Sequence, residues 1–237
     1  MSSAAMVVIG DEILSGKVVD ANSSWLARQL RERGVDLLRI TVVSDELDDI
    51  AGAVRAASEM ADHVFTSGGV GPTHDDMTMQ GIAQAFGVPL VREPQLEALL
   101  RQKVDGAPTE AALAMADVPQ GAELWWDGQL FFPVIVVRNV HIFPGVPSLF
   151  RRKFSEVAHR FRGVVVHSRR FVTLERETVI AQRLGEAQAR WPGVAIGSYP
   201  QFDQKPWTVT ITMDSRSESD LQACEAELRG CIEVLGG

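Results

Sequence analysis

Three short apolar runs, each closed by a glycine or turn and followed by an amphipathic stretch, restrict this chain more than any other feature. Residues 4–9, closed by Gly10, read as a buried strand. Residues 23–33, with Trp25, Leu26 and Leu30 on one face and Gly34 after them, read as a helix with a glycine stop. A second strand over 35–43, an amphipathic helix over about 46–61 and a third strand over 63–67 complete the order βαβαβ. Strands that alternate with helices predict a parallel sheet with helices on both faces, hence an α/β fold.

The alternation continues with helices over 77–86, stopped by Gly87, and 94–104, then strands over 134–137 and 140–143 around the turn pair Arg138-Asn139, then a helical stretch over 148–161. Beyond it the pattern changes to a strand over 164–174, a helix over 177–190, strands over 194–199 and 207–213, and a last helix over 217–235. This βαββα set predicts a small α+β domain, with the boundary near residue 162 and domains of 1–162 and 163–237.

Composition excludes several function classes. Hydrophobic residues make up 46% and charged residues 23%, the balance of a globule with a sizeable core. The longest apolar runs, 4–9 and 131–137, fall far short of the roughly 20 residues that cross a bilayer. The start lacks the basic region of a signal peptide, so a cytoplasmic location is expected. A net charge of −8 argues against a general nucleic-acid binder, which needs a basic face. Cys224 and Cys231, seven apart in a helical pattern, would lie about 10 Å apart and cannot bridge each other.

The tract from Ser67 to Thr78, SGGVGPTHDDMT, lies between a predicted strand and a predicted helix. Gly68, Gly69 and Gly71 let the backbone turn tightly and aim N–H groups at one point, and the helix N-terminus adds partial positive charge, which is how a phosphate is cradled. Asp75, Asp76 and Thr78 could cap the helix, with Thr73 beside them, but one carboxylate suffices for that. Two adjacent aspartates beside an anion-binding turn repel the ligand unless a divalent cation sits between, so Asp75 and Asp76 are expected to hold a metal. His74 is expected to be solvated or loop-stabilising. The tract lacks the lysine of a P-loop, which disfavours a kinase or ATPase.

Asp11 and Glu12, just after the first strand, would emerge at the same carboxyl edge of a parallel sheet, where ligands bind. Asn22 is either a helix cap or a ligand contact, and Asp45 either caps the next helix or joins the edge. Gly145, in the tract Phe143-Pro144-Gly145-Val146-Pro147-Ser148, permits close backbone approach, and Pro147 suits a first helical turn. Gly197-Ser198-Tyr199-Pro200 reads by itself as a strand end, and Trp125-Trp126 as packing or an interface.

The tract Gly10 to Gly16 with Asp20 and Asn22, together with Gly68 to Thr78, resembles the molybdopterin-binding domain of the CinA-type competence/damage-inducible family. Phe132-Pro133-Val134, Val137 to Val140, Phe143 to Pro147 and Gly197 to Pro200 look most like the N-terminal domain of eukaryotic FAD synthases. The resemblance implies a MogA/MoaB-like α/β domain followed by a small α+β domain, in a homo-oligomer, a dimer or trimer. It implies that a divalent metal (Mg, Mn or Co) activates water to cleave a dinucleotide pyrophosphate such as ADP-ribose or FAD, releasing AMP. The alternative it leaves open is a non-catalytic binder of a pterin or nucleotide linked to molybdenum-cofactor metabolism. Asp75 and Asp76 would bind the cation or position water, the glycine loop would hold phosphate, and Asp11, Glu12, Asn22 and Asp45 would complete the edge. Two departures stand out: Ser148 occupies the position of a family glutamate, and the Asn-x-x-Gly-Thr-Ala-Pro-Gly tract of many CinA proteins is missing. The amidohydrolase domain of long CinA proteins and the adenylyltransferase domain of FAD synthases also lie outside this sequence, so neither activity is expected of it.

Overall fold

Strand β1 (Ser3–Ile9) shows how the sheet is covered on both faces. Its residues alternate between two cores: Ala4, Met6 and Val8 pack with Leu26, Leu30, Phe150 and Phe154, whereas Ala5, Val7 and Ile9 pack with Ile50, Val54 and Ile82. A strand buried on both sides is a continuous apolar run, which is why β1 is legible without an alternating pattern.

The computed structural model describes residues 2–103, 108–127, 130–203 and 205–235. It divides into two units, Met1–Gly163 and Val164–Gly237. The first contains, after β1, helices α1 (Asp11–Leu14) and α2 (Asn22–Glu32), β2 (Asp36–Val43), α3 (Leu47–Met60), β3 (His63–Ser67) and α4 (Thr78–Phe86). It continues with β4 (Leu90–Arg92), α5 (Pro94–Lys103), α6 (Glu110–Ala114), β5 (Asp117–Pro119), β6 (Glu123–Trp125), β7 (Val134–Val137), β8 (Val140–Phe143) and α7 (Pro147–Val157). The main sheet has the order β2-β1-β3-β8-β7-β6. β1 runs parallel to β2 and β3, and β3 parallel to β8, while β7 and β6 run antiparallel to their neighbours. β4 and β5 form a separate antiparallel pair.

In the second unit β9 (His167–Thr173), β10 (Val194–Gln201) and β11 (Thr208–Ser215) form an antiparallel sheet of order β10-β11-β9, with α8 (Glu177–Arg190) between β9 and β10 and α9 (Glu218–Cys231) after β11. Its core holds Phe171, Ile180, Ile211, Met213, Leu221 and Leu228. The expected architecture, a mostly parallel sheet with helices on both faces and then a small α+β set, is the observed one.

Several elements differ from the sequence expectation. The helical stretch over 148–161 starts one residue earlier, at Pro147, and ends at Val157; a 3₁₀ turn, Ala158–Arg160, follows. The strand expected over 164–174 is shorter, and the last helix stops at Cys231. Residue 104, the expected end of the helix over 94–104, lies outside the described residues. β4, β5 and β6, three residues each, and the five-residue α6 were not expected, because so few residues show no periodicity. Cys224 is buried, Cys231 exposed, and both are free. Among the described residues no helix is long and apolar enough to cross a membrane.

Candidate active site

Because β1, β3 and β8 are parallel, their carboxyl ends lie side by side, and the segments after them form one rim. A cavity of about 720 Å³ opens there, bounded by Gly68 to Gly71, Glu12, Asp76, and the turn from Pro144 to Pro147.

The glycines are required by close approach. Gly68 has φ +108°, and a Cβ there would stand 2.1 Å from the carbonyl oxygen of Ile9. Gly69 has φ +60°, and its Cβ would meet the Thr78 hydroxyl at 2.5 Å. These conformations and contacts leave room only for hydrogen. Thr78 is fully buried; its hydroxyl donates to the Gly68 carbonyl at 2.8 Å and its amide to the Gly69 carbonyl at 3.0 Å. Thr78 therefore fastens the loop from behind and stands outside the cavity wall. Asp76 accepts from the amide of Thr73 at 2.9 Å and from the Thr73 hydroxyl, which fixes one carboxylate oxygen in the wall. Thr73 is exposed and serves that carboxylate.

Asn22 is 3% exposed and joins two rim segments: its Nδ2 donates to Ser67 Oγ at 2.9 Å and to the Gly145 carbonyl at 2.7 Å. Its Oδ1 is buried without a partner. The first amides of α2, those of Asn22 and Ser23, are instead met by Asp20, whose Oδ1 accepts from both. Asp45 accepts from the Asp11 amide at 2.9 Å and so anchors the segment after β1, not the start of α3. Burial raises Asp45 above its ordinary value; Asp11, Glu12 and Asp75 add repulsion, and the Asp11 amide opposes them.

Of the residues expected at the site, Glu12, Gly68, Gly69, Gly71, Asp76 and Gly145 line the cavity. Asn22, Asp45, Thr73 and Thr78 hold the rim from behind or beside it, and Asp11 and Asp75 are exposed outside the wall. Of the two aspartates expected to share an ion, Asp76 lines the cavity, while Asp75 is exposed and is held below the usual carboxylate range first by the Thr73 hydroxyl. His74 is solvent-exposed, 3.9 Å from Asp75. Trp125 packs against His141 and Phe161, while Trp126 is exposed.

Among the described residues no group of three or more His, Cys, Asp or Glu side chains is gathered to hold a metal. Among those residues an all-protein cage is thus not present. Two wall carboxylates, Glu12 and Asp76, suit a magnesium-class ion, which takes one or two carboxylates and completes its shell with phosphate oxygens and water.

Sequence reasoning missed the other part of the wall: Phe131, Phe132, Leu149, Arg152 and Lys153. Lys153 and Leu149 are four apart on α7 and so share a face, but a lysine on an amphipathic helix reads as solvated.

The family model for a probable molybdopterin binding domain matches residues 5–162, and that for the middle domain of FAD synthase matches residues 165–234. The chain is 32% identical to the crystal structure of the CinA protein, of unknown function, from Thermoplasma acidophilum, with a TM-score of 0.63 over 68% of this chain and 98% of that one. It belongs to the CinA-type family with a molybdopterin-binding domain. It is also 33% identical over 263 residues to a "Probable FAD synthase" of Caenorhabditis briggsae, covering 99% of this chain and 50% of that protein. A "CinA-like protein" of Myxococcus xanthus is 31% identical over 248 residues, 98% of this chain and 59% of its own length. The chain thus spans between half and three-fifths of the length of these curated relatives.

Proposed function

We propose that the cavity binds a dinucleotide pyrophosphate, such as ADP-ribose or FAD, and that a divalent-metal-dependent hydrolysis there releases AMP. The observation that carries this reading is the joining, in one wall, of the glycine-loop backbone, the start of α7 and the carboxylates Glu12 and Asp76. Anionic ligands suit a helix start whose first amides are uncapped, and α7 has no side-chain cap at Val146. A bound Mg²⁺, Mn²⁺ or Co²⁺ would supply charge neutralisation and a more acidic water. Glu12 and Asp76 would hold that ion, and the Thr73 contacts keep Asp76 from turning away. Asp75, exposed on the same loop, would reach the ion or position the attacking water from the solvent side. The apolar remainder of the wall excludes water from the bridging phosphates, where electrostatic stabilisation is worth more.

The purified chain, incubated with ADP-ribose or FAD and each metal, is expected to release AMP, and Asp76→Asn to lower the rate by about a hundredfold or more, a loss typical of one charge-stabilising group. No release beyond the Asp76→Asn background sinks the reading. Asparagine retains an acceptor for Thr73, so its melting temperature should stay near that of the parent. The second reading, a non-catalytic pterin or nucleotide binder, is favoured by the description of the matching family. It predicts ligand-induced thermal stabilisation without turnover. In either reading the chain is expected to work as a cytoplasmic homo-oligomer, which size-exclusion chromatography would test.

A further inference from the structure

The rim of the main sheet offers a second recognition position. β8 ends at Phe143 and leads into Pro144 and Gly145; β7 is antiparallel to β8, so its start, preceded by Phe132 and Pro133, lies at the same edge. Counting from β3 through β8 to β7 at about 4.8 Å per strand puts Pro133 roughly 10 Å along the rim from the glycine loop. Lys153 meets the rim there. Its Nζ donates to the Pro133 carbonyl at 2.6 Å and stands 5.1 Å from the centre of the Phe132 ring, and Lys153 and Phe132 line the cavity.

An ammonium has three donors, and the Pro133 carbonyl takes one. Desolvation lowers the amine to about 8, a measure of what it costs to hold this charge among Phe131, Phe132 and Leu149. The glycine loop and the start of α7 already provide for phosphate. What the Lys153 end offers is different: flat apolar surface for a ring face, and N–H donors for acceptors on the ring's edge. Ribose, with hydroxyls on every side, suits such walls poorly.

We propose that Lys153 and Phe132 form a subsite for the carbonyl-bearing edge of a fused pyrimidine ring system, the chemistry that flavins and pterins share. The inference rests on the nucleotide reading of the same cavity. The spacing of roughly 10 Å between the two ends is of the order a five-carbon sugar linker bridges. Lys153 is then a specificity-determining residue that favours ligands with such a carbonyl-bearing ring over ADP-ribose, whose adenine is a fused pyrimidine without a carbonyl.

The test is calorimetric titration of the whole chain, without metal, by riboflavin, by unsubstituted pterin and by ADP-ribose. The parent is expected to bind at least one of the two ring compounds, and the tighter of them identifies the source of the ring. Lys153→Met is expected to weaken that ring by tenfold or more while changing ADP-ribose by less than threefold. Phe132→Leu, which leaves the ammonium in place, should weaken the ring severalfold and serves as the second variant if Lys153→Met unfolds. Equal losses for all three ligands would mean that Lys153 takes adenine as readily as a carbonyl-bearing ring and would overturn the proposal. So would a parent that binds neither ring, or ring binding untouched by both variants. Because no turnover is measured, Lys153-dependent ring binding alongside absent AMP release would reject the hydrolysis and leave the subsite standing.

Discussion

Beyond the ties its first residues make to Asn22 and Phe143, the turn from β3 into α4 is closed on itself, whereas the turn from β8 into α7 is held from outside. In the first, Thr78 binds back to Gly68 and Gly69, and Asp76 binds back to Thr73. In the second, Val146 provides no side-chain cap, Pro147 has no N–H, and the Gly145 carbonyl is tied to Asn22 of α2. The contrast assigns shape to one turn and accessible donors to the other: a loop that satisfies itself keeps its form without a ligand, and a helix start left uncapped still has amides to offer one.

The comparison breaks first at Gly68. Gly68→Ala forces a Cβ against the Ile9 carbonyl in a backbone conformation that alanine disfavours, so a loss above about 3 kcal/mol is expected, with a melting temperature lower by roughly 6–12 °C. A change under about 1 kcal/mol would show the loop to be adaptable.

The same two strands carry a histidine pair near the start of β3, with His63 Nδ1 3.3 Å from His141 Nε2. Burial lowers His141 from 6.5 to about 3, with His63 adding repulsion, and burial lowers His63 as well. A folded value below the unfolded one means that the unfolded chain takes up the proton first. Stability should therefore be full above about pH 6.5 and fall as pH drops toward 3, by up to about 1.4 kcal/mol per pH unit for His141. Urea unfolding at pH 7.5, 6 and 5 checks this, and His141→Phe should flatten the slope.

Asn22→Ala removes the outside tie and leaves the buried Ser67 hydroxyl and Gly145 carbonyl short of a donor. A cost of about 1–3 kcal/mol is expected, with nucleotide binding weakened although no cavity-wall residue is altered. The smallest effect belongs to Gly145→Ala, whose Cβ would approach the Gly68 Cα at 3.3 Å in an exposed turn without positive φ. A loss below about 1 kcal/mol in chemical denaturation would sharpen the contrast with Gly68, and a loss as large as that of Gly68→Ala would erase it.

Glycine and apolar runs made most of this frame legible. His63–Ser67, Val134–Val137 and Val140–Phe143 appear with the bounds their sequence predicts, because β-branched runs between turn residues leave few alternatives. Gly68, Gly69 and Gly145 were readable as places of close approach, since glycine's special conformations are a property of the residue itself. Asn22, Asp45 and Thr78 were readable as polar residues at the right edge but not as struts, because a hydrogen bond to Ser67 or Gly68 depends on which strands become neighbours. Lys153 was not readable at all: its environment is made by Phe132 and Pro133, some twenty residues earlier and on another element.

The sheet order also has a consequence in time. β3 pairs with β1 on one side and with β8 on the other, and a chain made from its N-terminus delivers β1, β2 and β3 long before Val140–Phe143. Until then β3 presents an open edge, the kind that captures strands from other nascent chains. The cavity, whose wall needs Gly145 beside Gly68, is thus the last part of the first unit to close during synthesis, and crowded ribosomes should expose that interval as aggregation before any purified sample does.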